Sequence, residues 1–256
     1  MTKKIFDKQQ ISDNLNDNGY SIMEGYFDVD FCNKAILEIE TSINSYKNET
    51  HLTNGSGGDT RFYKFESVSN CAKIFSKDEF LLSIGEEYFG KKVSTHFVLG
   101  GKLEFSSENN SSSGGGWHRD SDGTQFKAMV YLNDVKSNNG PFLFVTNSKT
   151  SDAKRESIEN YNSFWFYVKR FLKYRKIRDP RYSEISILNF FRKRKQIPIE
   201  IIAPKGTVVL FDSSYIHRGK IIEKGVRYTM TNYYFENDQK SQNTTIKSFG
   251  HLFIKN

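Results

Sequence analysis

The chain has 256 residues, 37% of them hydrophobic and 26% charged, with a formal net charge of +7. That is a globular composition with enough chain to bury a core without staples, and no apolar run approaches the ~18 residues that a membrane span needs. Residues Met1–Asp7 lack the apolar stretch of a secretory signal, and the only cysteines are Cys32 and Cys71, which together predict a cytoplasmic chain without a disulfide framework.

The charge is not evenly spread. The window Tyr161–Lys195 carries 11 Lys/Arg against Asp179 and Glu184, and ten aromatic residues, whereas the rest of the chain holds 26 basic and 28 acidic residues. A near-neutral scaffold with one basic, aromatic segment excludes a uniformly basic nucleic-acid-coating chain, and no nucleic-acid partner is expected.

In chain order, Asp7–Asn18 is predicted as a polar helix closed by Gly19. Tyr20–Phe27 reads as a short strand, and Asp28 caps a second helix with apolar positions Phe31, Ala35, Leu37, Ile39 and Ile43. His51–Asp59 is turn-rich and reads as a surface loop. Residues 1–92 therefore form an N-terminal layer of helices with a short strand. From residue 93 the pattern turns to strands: Val93–Phe105, Trp117–Asp120, Phe126–Leu132, Pro141–Val145, Ile199–Ala203, Thr207–Phe211, Ile216–Ile222 and Arg227–Phe235. Gly100 and Gly101 suit a bulge or a close backbone approach, and Ser106–Gly116 is loop by composition. Many short strands punctuated by Gly, Asn and Pro predict an antiparallel sandwich or barrel.

One mainly β domain with flanking helices is thus expected over 1–256, with its core in 93–148 and 196–236, a basic aromatic helical insertion over 149–195 and a polar, loosely packed tail over 237–256. Within the insertion, Phe164, Tyr167, Val168, Phe171 and Leu172 form one helical stripe. A second helix, Tyr182–Arg194, carries Ile185, Leu188 and Phe191.

The chemistry begins at His118-Arg119-Asp120. On a strand, residues i and i+2 share a face, so this imidazole and carboxylate can share one ion; alone, such a pair is more often a solvated strand edge. His217 follows 99 residues later. Two histidines and a carboxylate make the facial triad that leaves positions on Fe(II) open for O₂ and a 2-oxo acid, although a lone histidine serves equally as a hydrogen-bonded core residue. Arg227 lies ten residues beyond His217, across the turn Glu223–Gly225, so the two strands should be hairpin neighbours. Its guanidinium can bind a distal carboxylate bidentately, with Thr229 on the same face, or be a surface cross-strand charge.

Lys102 either reaches that carboxylate or snorkels to water. Arg61 and Tyr63, alternating with Phe62, are candidates for the substrate end of a cavity. His96 reads as a core or cavity-wall residue, His51 and His251 as solvent-facing, and Arg119, pointing away from its neighbours, as structural.

These motifs resemble the phytanoyl-CoA dioxygenase family of Fe(II)/2-oxoglutarate-dependent oxygenases across nearly the whole chain. Asn18–Asp28 resembles that family's opening, Trp117-His118-Arg119-Asp120 its first iron motif, Asn138–Ser148 its central segment, and Gly206–His217 with Arg227 its second-histidine and co-substrate strands. Lys149 stands where the family usually has a histidine. The resemblance implies a double-stranded β-helix (jelly-roll) with His118, Asp120 and His217 on Fe(II), Arg227 and Thr229 on 2-oxoglutarate, O₂ as oxidant, and no obligatory acid or base beyond the metal centre. Related halogenases replace the carboxylate with a small residue, so Asp120 implies hydroxylation of a small-molecule C–H bond. The alternatives are desaturation or epimerisation at the same centre, and a catalytically silent jelly-roll.

The basic window fits a partly buried cover, a lid over an anionic substrate (phosphorylated, nucleotide- or lipid-linked, or a carbohydrate derivative), or contact of residues 161–195 with an anionic membrane surface.

Overall fold

Where the sequence pairs a capping carboxylate with an αL glycine, the helix forms as expected. The computed structural model describes residues 4–46, 51–52, 58–105, 107, 116–120, 123–149 and 181–254. Helix α1 (Lys8–Asn18) is capped by Asp7, which accepts from the Gln9 and Gln10 amides, and ends on Gly19 at φ 81°. Strand β1 (Tyr20–Met23) follows. Helix α2 (Val29–Ser45) is capped by Asp28 and buries Cys32, Ala35, Ile39 and Ser42. Leu37, assigned to that stripe, is instead 66% exposed, because two residues at 100° each carry it to the far side of the helix from Ala35.

The expected 51–59 loop is bounded by strands β2 (His51–Leu52) and β3 (Asp59–Tyr63), which pair with each other. Helices α3 (Asn70–Ser76) and α4 (Glu79–Phe89) complete the N-terminal layer.

Among the described residues, seven further strands and two α-helices follow: β4 (Val93–Glu104), β5 (Phe126–Tyr131), β6 (Phe142–Phe144), α5 (Glu184–Arg194), β7 (Ile199–Ile201), β8 (Val208–Asp212), β9 (His217–Gly219), β10 (Val226–Glu236) and α6 (Gln239–Phe249). They build two antiparallel sheets, one of seven strands ordered β1-β8-β5-β10-β4-β3-β2 and one of three ordered β7-β6-β9. Period-two alternation divides the core. On β5 and β8, Phe126, Ala128, Val130, Val208 and Leu210 face the helices α1–α4, while Met129, Tyr131, Val209 and Phe211 face the small sheet and its Phe142, Phe144 and Ile201. A third cluster, Trp117, Leu143, Val145 and Ile216, is covered by Ile187 and Phe190 of α5.

Several expectations are corrected. β9 and β10 are not hairpin neighbours: β9 pairs with β6 in the small sheet and β10 with β4 and β5 in the large one, and His217 and Arg227 line one cavity from different sheets. Trp117–Asp120 is no strand but a segment pinned by bridges from His118 to His217 and to Arg181. At the paired glycines the reading is close approach, since a Cβ on Gly100 would lie 2.8 Å from the Phe65 ring; the register shift is at Tyr233/Tyr234, opposite His96.

Helix α5 buries Ile187 and Phe190, leaving Ile185 and Leu188 at 72% and 56% exposed. The tail after Glu236 is an ordered helix, α6, capped by Asp238 and anchored by Phe249 against Tyr63, Phe97 and Tyr233. The stripe expected over Phe164–Leu172, with all of 150–180, lies outside the described residues. No helix among the described residues is long and apolar enough to cross a membrane.

Candidate metal centre

Chain reversal between the sheets brings the expected triad together. His118 and His217 exchange backbone hydrogen bonds, 3.1 Å from the His118 amide to the His217 carbonyl and 3.0 Å in return, and the Asp120 amide donates to the Ser213 carbonyl at 2.9 Å. Each imidazole is oriented the same way. His118 Nδ1 lies 2.8 Å from the Gly116 carbonyl and His217 Nδ1 2.8 Å from the Tyr215 carbonyl. A carbonyl only accepts, so each Nδ1 carries the hydrogen and each Nε2 keeps its lone pair for the centre. Those Nε2 atoms lie 3.5 and 3.6 Å from the two Asp120 oxygens, and one ligand atom from each residue falls within 4.8 Å of the others. Two imidazoles and one carboxylate on one side of a point suit a divalent first-row metal with open positions.

The electrostatics depend on a residue the sequence reading missed. Lys127, on β5 and 3% exposed, donates from Nζ to Asp120 Oδ2 and lies 3.9 Å from the Tyr233 ring centroid. Burial raises the Asp120 carboxyl, but the Lys127 ammonium and the two histidines outweigh it and hold it below the ordinary aspartate value. Burial, with His118 beside it, pushes His217 down to about 3, which keeps the ring neutral and able to ligate. Lys127 was legible in principle: it is the one charge in the run Phe126–Leu132, whose residues are all buried.

Asp212 holds the frame. It is fully buried and accepts from the Gln125 and Ser214 amides, the Tyr88 hydroxyl and Lys149 Nζ at 2.6–3.0 Å. This fixes the end of β8 against the start of β5. Lys149, at the position where a histidine was expected from the resemblance, is thus a structural ion-pair partner. Arg119 is structural as expected, donating to the Tyr182 hydroxyl and the Ser214 carbonyl at 2.7 Å each.

A cavity of about 780 Å³ opens between the sheets from this centre. Alternation on β10 sends Arg227, Thr229, Thr231 and Tyr233 into it, and Arg61 and Tyr63 of β3 line it as well. Arg227 is 5% exposed; its Nη1 donates to the Gly140 carbonyl, and its Nε has no hydrogen-bond partner among the described residues. A buried guanidinium nitrogen without an acceptor is an incomplete site, and a carboxylate would complete it. Gly140 is fixed by its backbone, with φ at 74° and a Cβ position 2.9 Å from Leu103.

Arg61 is paired with Asp59 through Nε and Nη2 at 3.3 and 2.9 Å. Lys102 does not reach the cavity. Its neighbours Gly101 and Leu103 line the cavity, so alternation turns Lys102 outward, where it bridges Glu40 and Glu104 at 3.0 and 3.1 Å. Of the basic window's described residues, Arg181 lines the cavity, whereas Lys193, Arg194 and Lys195 at the end of α5 do not.

No protein-family model matches the sequence, and no curated relative does. Solved structures do. The α-ketoglutarate-dependent epimerase SnoN from nogalamycin biosynthesis aligns over 90% of this chain and 80% of its own, at 13% identity and a TM-score of 0.66. EctD from S. alaskensis, solved with 2-oxoglutarate and 5-hydroxyectoine, aligns over 92% and 78% at 14% identity and 0.63. HygX from Streptomyces hygroscopicus, solved with nickel and 2-oxoglutarate, aligns over 90% and 87% at 15% identity and 0.59. At these identities the likeness establishes the fold alone: the two sheets form a jelly-roll core, as the sequence resemblance implied.

Proposed function

We propose that the chain is a single-domain oxygenase of the phytanoyl-CoA dioxygenase type, which uses Fe(II), 2-oxoglutarate and O₂ to hydroxylate a C–H bond of a small anionic metabolite. The observation that carries this is the pairing of the His118, Asp120 and His217 cluster with a buried, incompletely bonded Arg227 in one cavity. SnoN is described in complex with Fe³⁺ and α-ketoglutarate, and HygX with nickel and 2-oxoglutarate, on the same fold.

Bound iron would supply the oxidising chemistry. The protein's residues then have separate tasks. His118 and His217 present Nε2, held by their carbonyl acceptors, and Asp120 presents a carboxylate whose other oxygen Lys127 secures. Arg227 would take the distal carboxylate of 2-oxoglutarate, with the Thr229 hydroxyl beside it on the same face of β10. Phe142 and Phe211 pack their rings 5.5 and 5.7 Å from His217 and keep water from that side. An anionic substrate is supported by Arg181 on the cavity wall. The exposed Ile185 and Leu188 beside Arg192–Arg194 on α5 support a peripheral contact with an anionic membrane, which vesicle co-sedimentation tests.

Anaerobic addition of Fe(II) and 2-oxoglutarate is expected to give a weak metal-to-ligand absorption band, and admission of air to yield succinate. His118→Ala or Asp120→Ala should abolish both; a band that survives either substitution refutes the ligand assignment. SnoN and the carbocyclase SnoK favour a second reading, a different oxidative outcome at the same centre. Product mass separates them: hydroxylation adds one oxygen atom, ring closure or desaturation removes two hydrogens, and epimerisation changes nothing.

A further inference from the structure

The tail helix α6 packs in the reverse of the usual sense. Ser241, Thr244, Thr245 and Ser248 recur at i, i+3, i+4 and i+7, and all four line the cavity. The helix's one aliphatic residue, Ile246, is turned to water at 60% exposed. A helix held only by core packing would put Ile246 inward and the hydroxyls outward. Its anchors lie elsewhere, in Phe249 and in the 2.7 Å contact between Thr245 Oγ1 and His96 Nδ1. Thr245 is thus buried against His96, whereas the half-buried Ser241 and Ser248 and the exposed Thr244, whose hydroxyl also donates to the Lys240 carbonyl at 2.8 Å, present their oxygens to the cavity.

Position along β10 fixes which end of the cavity this is. Arg227 and Thr229 stand at one end of the strand, and Tyr233 pairs in register with Lys127, the partner of Asp120. Beyond it come Phe235 and Glu236, then α6. The hydroxyl face thus lies on the opposite side of the metal centre from Arg227. Tyr63, Tyr233 and Phe249 add an aromatic wall there, with Tyr63 and Phe249 stacked at 6.2 Å.

Aromatic faces with several hydroxyls around them match a ring that is apolar on its C–H faces and polar at its edge. A flexible aliphatic chain would strip water from the hydroxyls and return no hydrogen bond.

Resting on the oxygenase reading, we infer that the substrate is a polyhydroxylated ring compound, a sugar or glycoside derivative, bound by the α6 hydroxyls against the Tyr63/Tyr233/Phe249 wall. The test uses anaerobic protein loaded with Fe(II) and 2-oxoglutarate, to which hygromycin B, UDP-glucose and decanoyl-CoA are added separately at millimolar concentration. Substrate entry perturbs the absorption band.

The expected result is that a polyhydroxylated probe shifts the band and decanoyl-CoA does not. Thr244→Val combined with Ser248→Ala should then weaken that response about tenfold, on the scale of two lost hydrogen bonds, with the thermal midpoint unchanged. A response to decanoyl-CoA alone, no response to either polyhydroxylated probe, or an unchanged affinity in the double variant overturns the substrate class and leaves the oxygenase reading standing. Failure of the band to form before any probe is added overturns the oxygenase reading itself, and this inference with it.

Discussion

Replacing Lys127 with methionine tests the electrostatics of the centre directly. In the metal-free protein, Lys127→Met leaves the Asp120 carboxylate in the cavity without its ammonium partner, while the methionine keeps most of the side-chain volume. Removing one member of a buried ion pair costs about 3–5 kcal/mol. Lys127 is enclosed but the Asp120 side chain is 25% exposed, so solvent screening lowers the cost below that range, to about 2–3 kcal/mol. For a chain of this size that lowers the thermal midpoint by about 4–10 °C.

A bound divalent cation reverses the comparison. In the parent protein, a metal held at the proposed centre would share Asp120 with a fixed positive charge; in the variant it would supply the missing charge itself. Metal stabilises by its affinity for the folded state, so the rise in midpoint on adding Co(II) to chelator-stripped protein should be larger in Lys127→Met than in the parent. Thermal melts followed by circular dichroism, with and without Co(II), read both quantities. An unchanged midpoint in the stripped variant, or a smaller response to Co(II), would refute the reasoning.

Three further outcomes follow from the geometry. Arg227→Gln should raise the concentration of 2-oxoglutarate needed to form the absorption band by about 10–100-fold, the range for a lost charge-assisted bond, while the Co(II)-dependent rise in midpoint is unchanged; an unaltered 2-oxoglutarate titration would remove Arg227 from the co-substrate site. Asp212→Ala orphans two buried amides, a tyrosine hydroxyl and Lys149, and should cost about 3–5 kcal/mol in urea unfolding; a loss below 1 kcal/mol, roughly the value of a surface pair, would mean that Asp212 does not hold β8 to β5. Burial pushes the Cys32 thiol up to about 11 and the Cys71 thiol to about 12. At pH 8 less than about a thousandth of either is thiolate, so a disulfide reagent should label the native protein only on the timescale of unfolding; rapid stoichiometric labelling would contradict the burial of both residues.

The residues that the sequence identified best are those whose role is set by local chemistry. Asp7 and Asp28 before apolar-periodic runs, and Gly19 after one, mark helix ends because capping is an interaction over three or four residues. His118 and Asp120 are legible as a pair because two residues on extended chain share a face, and Arg227 and Thr229 for the same reason. Alternation also decides against Lys102, whose neighbours on both sides line the cavity. The rule was available in the sequence, but which face of β4 turns inward was not.

What the sequence could not specify is everything that depends on which surfaces meet. Nothing local says that β9 and β10 belong to different sheets, because a turn permits a hairpin without requiring one. The α5 stripe was misassigned because apolar residues at similar spacing occur on two faces, and only the Trp117, Leu143 and Val145 cluster selects Ile187 and Phe190. The polar tail read as loosely packed because its hydroxyl face has no apolar signal, and a cavity to accept that face exists only once the sheets have closed. Lys127 became informative for the same reason: a lone charge in a buried strand acquires a meaning when folding sets Asp120, from a segment seven residues earlier, against it. Sequence determined the candidate ligand types, their order and the capped helices, all fixed by short-range chemistry. The tertiary structure alone decided the pairing of sheets, the direction each face looks and the neighbours of each charge, since these are set by long-range packing of surfaces far apart in the chain.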